Sequence, residues 1–248
     1  MTATKKIVPP LVGNEELLAW QALDGLSLLK SVLGYGQGLR VGVTSSFGAE
    51  SAVLLDLVAQ VAPATPVVFV DTGRLFPETI AYRDQLADHF GLTDVRTLTA
   101  PAPMVANMDP DGTLFETDPD GCCHVRKVMP YAQALFDFDV LIGGRKRHHG
   151  ASRAEIDTVE LSGPHIKVNP LAHFSADDIE KAFTDKNLPR HPLVAEGYSS
   201  IGCVPCTHKA TCEVSGARAG RWSGKEKTEC GIHFADARVY ESLGDSSL

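Results

Sequence analysis

Residues 39–55, LRVGVTSSFGAESAVLL, hold three patterns in succession. The run LRVGV (39–43) suits a buried strand, TSSFGAE (44–50) is small and hydroxyl-rich, and AESAVLLDLVAQVA (49–62) repeats apolar residues at helical spacing. A strand breaking into a tight turn and then a helix is the building unit of a parallel sheet. The unit recurs downstream. PVVFVDTG (66–73) reads as a strand with a polar end, FPETIAYRDQLADHFG (76–91) as a helix, and TDVRTLTA (93–100) as a strand. HVRKVMPYAQALF (124–136) is helical, DVLIGG (139–144) and IKVNPLA (166–172) are strands, and SADDIEKAFTDKN (175–187) is a helix opened by Ser175. Upstream, the stretch from about Asn14 to Gly36 predicts one helix, and 101–121 predicts a Pro/Asp/Gly-rich loop.

Short apolar strands alternating with helices predict an α/β fold: an open, mostly parallel sheet with helices on both faces. Ligands of such folds sit beyond the carboxyl ends of the strands. Three ends stand out here, VGV-TSSFGAES, VVFV-DTGRLFPET and VLIG-GRKRHHGASR, and all should face one crevice. After residue 188 the periodicity dissolves. The chain therefore divides into an α/β part (1–188) and an irregular Cys/Arg-rich segment (189–248) folded over the site.

Lys+Arg 23 against Asp+Glu 31 leaves a net charge of −8, which argues against a nucleic acid held by bulk charge. No apolar run approaches the roughly 18 residues that span a bilayer. The start MTATKKIVPPLVGNEE has no apolar leader segment, so a cytoplasmic location is expected, with no membrane partner. In that reducing setting the six cysteines read as metal-binding or redox groups and not as a disulfide framework.

Five motifs carry chemistry. Ser45, Ser46, Gly48, Glu50 and Ser51 form a strand-to-helix turn that offers amides, hydroxyls and a helix N-terminus to an anion; a plain turn with a serine cap is the simpler reading. Asp71, ending the next strand, could accept from a ribose or base, or cap its own turn. Gly143-Gly144-Arg145-Lys146-Arg147, closed by Arg153, places four cations after a buried strand, as a polyanion would require; His148 and His149 are expected at the surface. The vicinal pair Cys122-Cys123 and the chelating pair Cys203-x-x-Cys206 supply four thiolates, enough for zinc or an iron–sulfur cluster. Adjacent side chains diverge, so a vicinal pair makes a poor zinc knuckle, and a larger cluster fits better. Cys212 is left as a structural thiol. Cys230, flanked by Gly231 and followed by His233, suits a thiol nucleophile if neighbouring cations such as Arg218 and Arg221 lower its pKa.

SSFGAES, DTGRLFPET, CCHVRKVMP, GGRKRHHGASR, GCVPCT, RAGRW and ECGIH, in this order over roughly residues 40–235, resemble the assimilatory adenylyl-sulfate (APS) reductases. These are the iron–sulfur branch of the APS/PAPS reductase family, with a PP-loop adenine-nucleotide fold. The resemblance implies one four-iron four-sulfur cluster per chain on Cys122, Cys123, Cys203 and Cys206. It implies a nucleotide-phosphate site at Ser45, Ser46, Gly48, Glu50 and Ser51, and an adenosine pocket at Asp71, Thr72 and Arg74. Gly144, Lys146, Arg147 and Arg153 match the basic strand-end segment. Lys127 matches the lysine between cluster and substrate, Arg218 and Arg221 the sulfate contacts, Cys230 the nucleophile and His233 its flanking histidine. The implied reaction is reduction of APS to sulfite and AMP through an S-sulfocysteine on Cys230, resolved by thioredoxin or glutaredoxin, in a homo-oligomer. Use of PAPS, or of both nucleotides, is the alternative; a PP-loop pyrophosphatase of the tRNA-thiolation kind is more distant. The sequence departs from the family pattern at His149 and Gly150, where glutamine and serine are usual, and at THKATCEVSGA (207–217), which replaces an acidic segment.

Overall fold

The computed structural model describes residues 12–150, 153–210, 218, 220–222, 227 and 231–234. Six strands form one sheet: β1 (Val41–Thr44), β2 (Val67–Val70), β3 (Val95–Leu98), β4 (Val140–Gly143), β5 (Val159–Ser162) and β6 (His165–Val168). Their order is β3-β2-β1-β4-β6-β5, and every pairing is parallel except β5 with β6. β1 and β4 run in register from Val41↔Val140 to Thr44↔Gly143, so both stop at the same level. The strand order reverses between them, and that is where an open α/β sheet opens a crevice.

The interior strands are buried on both faces, which explains their near-continuous apolar runs. On one face α2 (Gly25–Gly34), α3 (Ser51–Ala59), α4 (Pro77–Phe90) and α9 (Ala176–Asp185) build the larger core around Leu28, Leu55, Phe69 and Leu86. On the other face α8 (Met129–Leu135) covers Val68 and Leu141 with Val128, Tyr131, Leu135 and Phe138. β1 carries Gly42 because a Cβ there would lie 2.7 Å from the Phe138 ring.

Three expectations are corrected. The single N-terminal helix is two, α1 (Asn14–Gln21) and α2, because Gly25 turns left-handed (φ +48) and donates its N–H to Pro170 O at 2.8 Å. The expected loop 101–121 holds α5 (Ala102–Met108), α6 (Leu114–Thr117) and α7 (Pro119–Cys123). Pro101, Pro103 and Pro119 sit at helix starts, where a missing N–H costs nothing, and Asp109 accepts from Leu114 N at 2.9 Å. The edge strand β5 was not anticipated. It returns to β6 through a two-residue turn, Gly163-Pro164, with Gly163 at φ +58.

α7, a π-helical turn (His124–Val128) and α8 run on as one helix across 119–135. Beyond α9, one short helix, α10 (Pro192–Ala195), precedes a 3-10 turn (Val204–Cys206) in an otherwise irregular segment. Among the described residues, no helix is long and apolar enough to cross a membrane.

Candidate active site

The Thr44–Glu50 turn is shaped by burial. Phe47 is fully buried, stands edge-on to Phe69 at 5.3 Å, and holds φ +47, a left-handed conformation that costs a non-glycine residue about 1 kcal/mol or more. Ser45 Oγ accepts from Phe47 N at 3.2 Å, and Gly48 sits close under Ile201 O. The turn thus brings Ser46, Gly48 and Glu50 to the lip of the crevice, at the N-terminus of α3.

A cleft of about 270 Å³ opens there, lined by this turn, by Gly144, Lys146 and Arg153 beyond β4, and by Ser199–Gly202. Lys146 is 3% exposed, donates to Gly144 O at 3.1 Å, and lies 2.8 Å from Glu50 Oε2. His149 Nε2 donates to the same oxygen at 2.9 Å. Burial would raise the Glu50 pKa, but the His149 hydrogen bond and the Lys146 charge bring it down to about 2. Burial pushes Lys146 and His149 down, with Glu50 opposing in both cases. Glu50, His148 and His149 also place three donor atoms within 4.8 Å of one another, but the Lys146 ammonium already sits on Glu50 where a metal cation would.

The four cysteines meet beside this cleft. Cys122 and Cys123 end α7, while Cys203 and Cys206 bracket the 3-10 turn, and all four are buried and unbridged. The CxxC segment is tied to the end of β2: Leu75 bridges Cys203, and Val204 N donates to Arg74 O at 2.8 Å. Thr72 Oγ1 lies 3.2 Å from Cys203 Sγ. Burial and the Cys203 thiolate push the Cys122 thiol up. Burial also opposes ionisation of Cys203, but Lys127, Thr72 and Arg221 take its pKa below the ordinary value. The thiols therefore feel one another's charge. Yet, among the described residues, no three cysteine sulfurs lie within 4.8 Å of one another. A zinc ion with sulfurs at about 2.3 Å would draw all four within roughly 4 Å of one another, closer than they stand here. The indole Nε1 of Trp222, packed against Cys203 and Cys206, is buried with no acceptor among the described residues.

Lys127 and Arg221 line both the cleft and the cysteine pocket. Arg218 lines the cleft and, with Arg221, stacks on the Trp222 ring at 5.1 and 4.4 Å. The wall between the two sites is made of cations.

The phosphoadenosine phosphosulfate reductase domain matches residues 40–209. The chain belongs to that reductase family. A Mesorhizobium japonicum protein named adenosine 5'-phosphosulfate reductase is 44% identical over 208 residues, 84% of this chain and 81% of that one. A Deinococcus radiodurans protein of the same name is 44% identical, covering 76% and 74%. The fold is shared with a crystal structure of phosphoadenylyl-sulfate (PAPS) reductase from Candida auris, with a TM-score of 0.65, 22% identity, and coverage of 79% of this chain and 98% of that one.

In this reductase-family chain the expected residues fall into two groups. Ser45, Ser46, Gly48, Glu50, Ser51, Gly144, Lys146, Arg153, Lys127, Arg218 and Arg221 all line the cleft. Asp71, Thr72 and Arg74, expected at the adenosine, do not. Asp71 accepts from Gly73 N at 2.8 Å, while Thr72 and Arg74 face the cysteines, Arg74 with its guanidinium on Gly112 O and near the Phe115 ring. Arg147 also turns away, donating to Ile156 O at 2.8 Å. His149, expected at the surface, is in the cleft wall. Cys212 and Cys230 lie outside the described residues, as does the side chain of His233. Sequence reasoning missed Thr79, Tyr131 and Ser199–Gly202 as lining residues. Thr79 stands inside the quoted FPET, where helical periodicity masked it.

Proposed function

We propose that this chain reduces adenosine 5'-phosphosulfate to sulfite and AMP. The observation that carries the reading is the shared wall: Lys127 and Arg221 face an anion-receiving cleft on one side and four cysteines on the other. The printed names of the relatives point to the same substrate.

Ser45, Ser46, Gly48 and Ser51, at the N-terminus of α3, receive the nucleotide's phosphate, with Lys146 and Arg153 beside them and Glu50 bracing Lys146. Lys127, Arg218 and Arg221 gather positive charge at the sulfate end. That charge matters because an anionic thiolate must approach an anionic sulfate. The Cys230 thiolate attacks the sulfate sulfur, the S–O bond to the phosphate breaks, and AMP leaves with the bonding pair. One thiolate of a thioredoxin or glutaredoxin dithiol then attacks Cys230 Sγ and expels sulfite; the second thiol resolves the mixed disulfide. The dithiol's two electrons take sulfur from sulfate to sulfite.

Cys122, Cys123, Cys203 and Cys206 are the residues to hold a four-iron four-sulfur cluster. The gathering of all four around one pocket and the orphaned Trp222 N–H, which an inorganic sulfide could satisfy, both support that fit. Bound there, the cluster supplies a compact thiolate-ligated charge next to the substrate cations.

The test is a Cys230→Ser variant incubated with APS and a dithiol donor. It should form no sulfite while still binding AMP and keeping about four irons per chain. Sulfite formation at the unmodified rate would overturn the mechanism. Equal turnover of APS and PAPS in direct competition would instead assign a dual-substrate enzyme.

A further inference from the structure

We propose that Thr79 reads the base of the bound nucleotide, donating its hydroxyl hydrogen to an acceptor nitrogen of the purine ring while His191 holds the hydroxyl in place. The inference rests on the nucleotide reading of the cleft.

Thr79 stands in the first turn of α4, lines the cleft and is 2% exposed. Its Oγ1 lies 3.0 Å from His191 Nε2. The far side of the ring fixes the direction of that bond: Nδ1 accepts the N–H of Leu193 at 3.3 Å and so carries no proton. His191 is 1% exposed, and burial takes its pKa down to about 4, so the ring is neutral with its one proton on Nε2. That proton goes to Thr79, whose oxygen is the acceptor. The hydroxyl's own hydrogen then has no acceptor among the described residues, whereas Thr184 on α9 donates back to Glu180 O at 3.0 Å in the usual helical manner. A buried donor left over in this way calls for a partner, and the cleft is where one arrives.

The partner's chemistry follows from the walls. Leu54, Val70, Leu75, Ile142 and Ile201 line the same cleft, apolar surface that suits a flat heterocycle and not a phosphate or sulfate. Adenine offers ring nitrogens as acceptors, and its amino group donates. A hydroxyl already accepting from His191 suits the ring nitrogen. The anchor is firm: Tyr82 packs edge-on to the His191 ring at 4.9 Å and donates to Pro189 O at 2.7 Å, tying α4 to the segment that carries Ser199–Gly202.

The experiment is a calorimetric titration of the iron-loaded full chain with AMP and its 1-, 3- and 7-deaza analogues. Thr79→Val should weaken AMP about three- to tenfold, and Thr79→Ser should bind it as the unmodified chain does. Against the one analogue that lacks the contacted nitrogen, the valine variant should lose nothing. Thr79→Ala, which removes the same hydroxyl with less bulk, replaces the valine variant if that one fails to keep its iron. No loss for AMP, or an equal loss across AMP and all three analogues, would overturn the assignment. A chain that binds no AMP at all, even unmodified, would instead overturn the nucleotide reading of the cleft.

Discussion

His191 shows how a single buried imidazole couples the cleft to solution conditions. Its folded pKa is about 4 against about 6.5 unfolded, so between these values the unfolded chain binds the extra proton. Stability from this group is full above pH 6.5 and is lost as pH falls toward 4. The linkage gives a loss of about 2 kcal/mol between pH 7 and 5. We predict that the urea midpoint falls over this range and that His191→Gln, though less stable at pH 7, loses correspondingly less. Equal pH slopes for the two proteins would refute the assignment of the slope to His191. Such a residue was not legible beforehand. A histidine before a proline in an irregular stretch gives no periodic signal, and its buried partner Thr79 lies 112 positions away. His149 misled in the opposite direction, since it was expected at the surface while Glu50, 99 positions distant, draws it into the cleft wall. Lys127 was legible only through its company, four residues beyond a cysteine pair.

At the scale of elements, the parallel strands were readable because both of their faces are covered. VVFV and VLIG are unbroken apolar runs for that reason. β5 was not readable, because an edge strand with Leu161 65% exposed has no such run, although Gly163-Pro164 marked the turn. The 101–121 region hid its helices because their stability is tertiary. Asp109, nearly buried, accepts from Leu114 N and from Arg126 at 2.8 Å, and Arg126 donates onward to Thr72 O at 3.1 Å. This chain of bonds ties α5, α6 and the helix bearing Cys122 and Cys123 to the end of β2. Asp109→Ala therefore removes an acceptor from two elements and leaves the Arg126 charge buried without its partner. We expect a cost of about 3 kcal/mol, concentrated at the cysteine pocket. Iron content and visible absorbance after purification should fall well before the far-ultraviolet circular dichroism changes. Full iron occupancy in that variant would show that the cysteines are positioned by other contacts.

Across the whole molecule, net acidity and an anionic substrate are reconciled by concentrating cations at one place. The chain carries −8, yet Lys127, Lys146, Arg153, Arg218 and Arg221 converge on a single cleft beyond the β1–β4 switch point. Two of the five, Lys127 and Arg221, also face the thiols, and Lys127 is the leading cation that holds Cys203 below its ordinary pKa. Their placement should then depend on both sites at once. Coupling between two sites is reciprocal, so whatever the iron does for nucleotide affinity, nucleotide must do for iron retention. A coupling of 1–3 kcal/mol corresponds to about 5- to 150-fold. We predict that stripping the iron with a chelator weakens AMP binding by a factor in that range, and that saturating AMP slows iron loss to the same chelator. A Thr79→Val chain should show the same coupling, because it leaves Lys127 and Arg221 in place. Unchanged AMP affinity in the stripped protein, with its secondary structure intact, would mean that Lys127 and Arg221 serve the two sites independently.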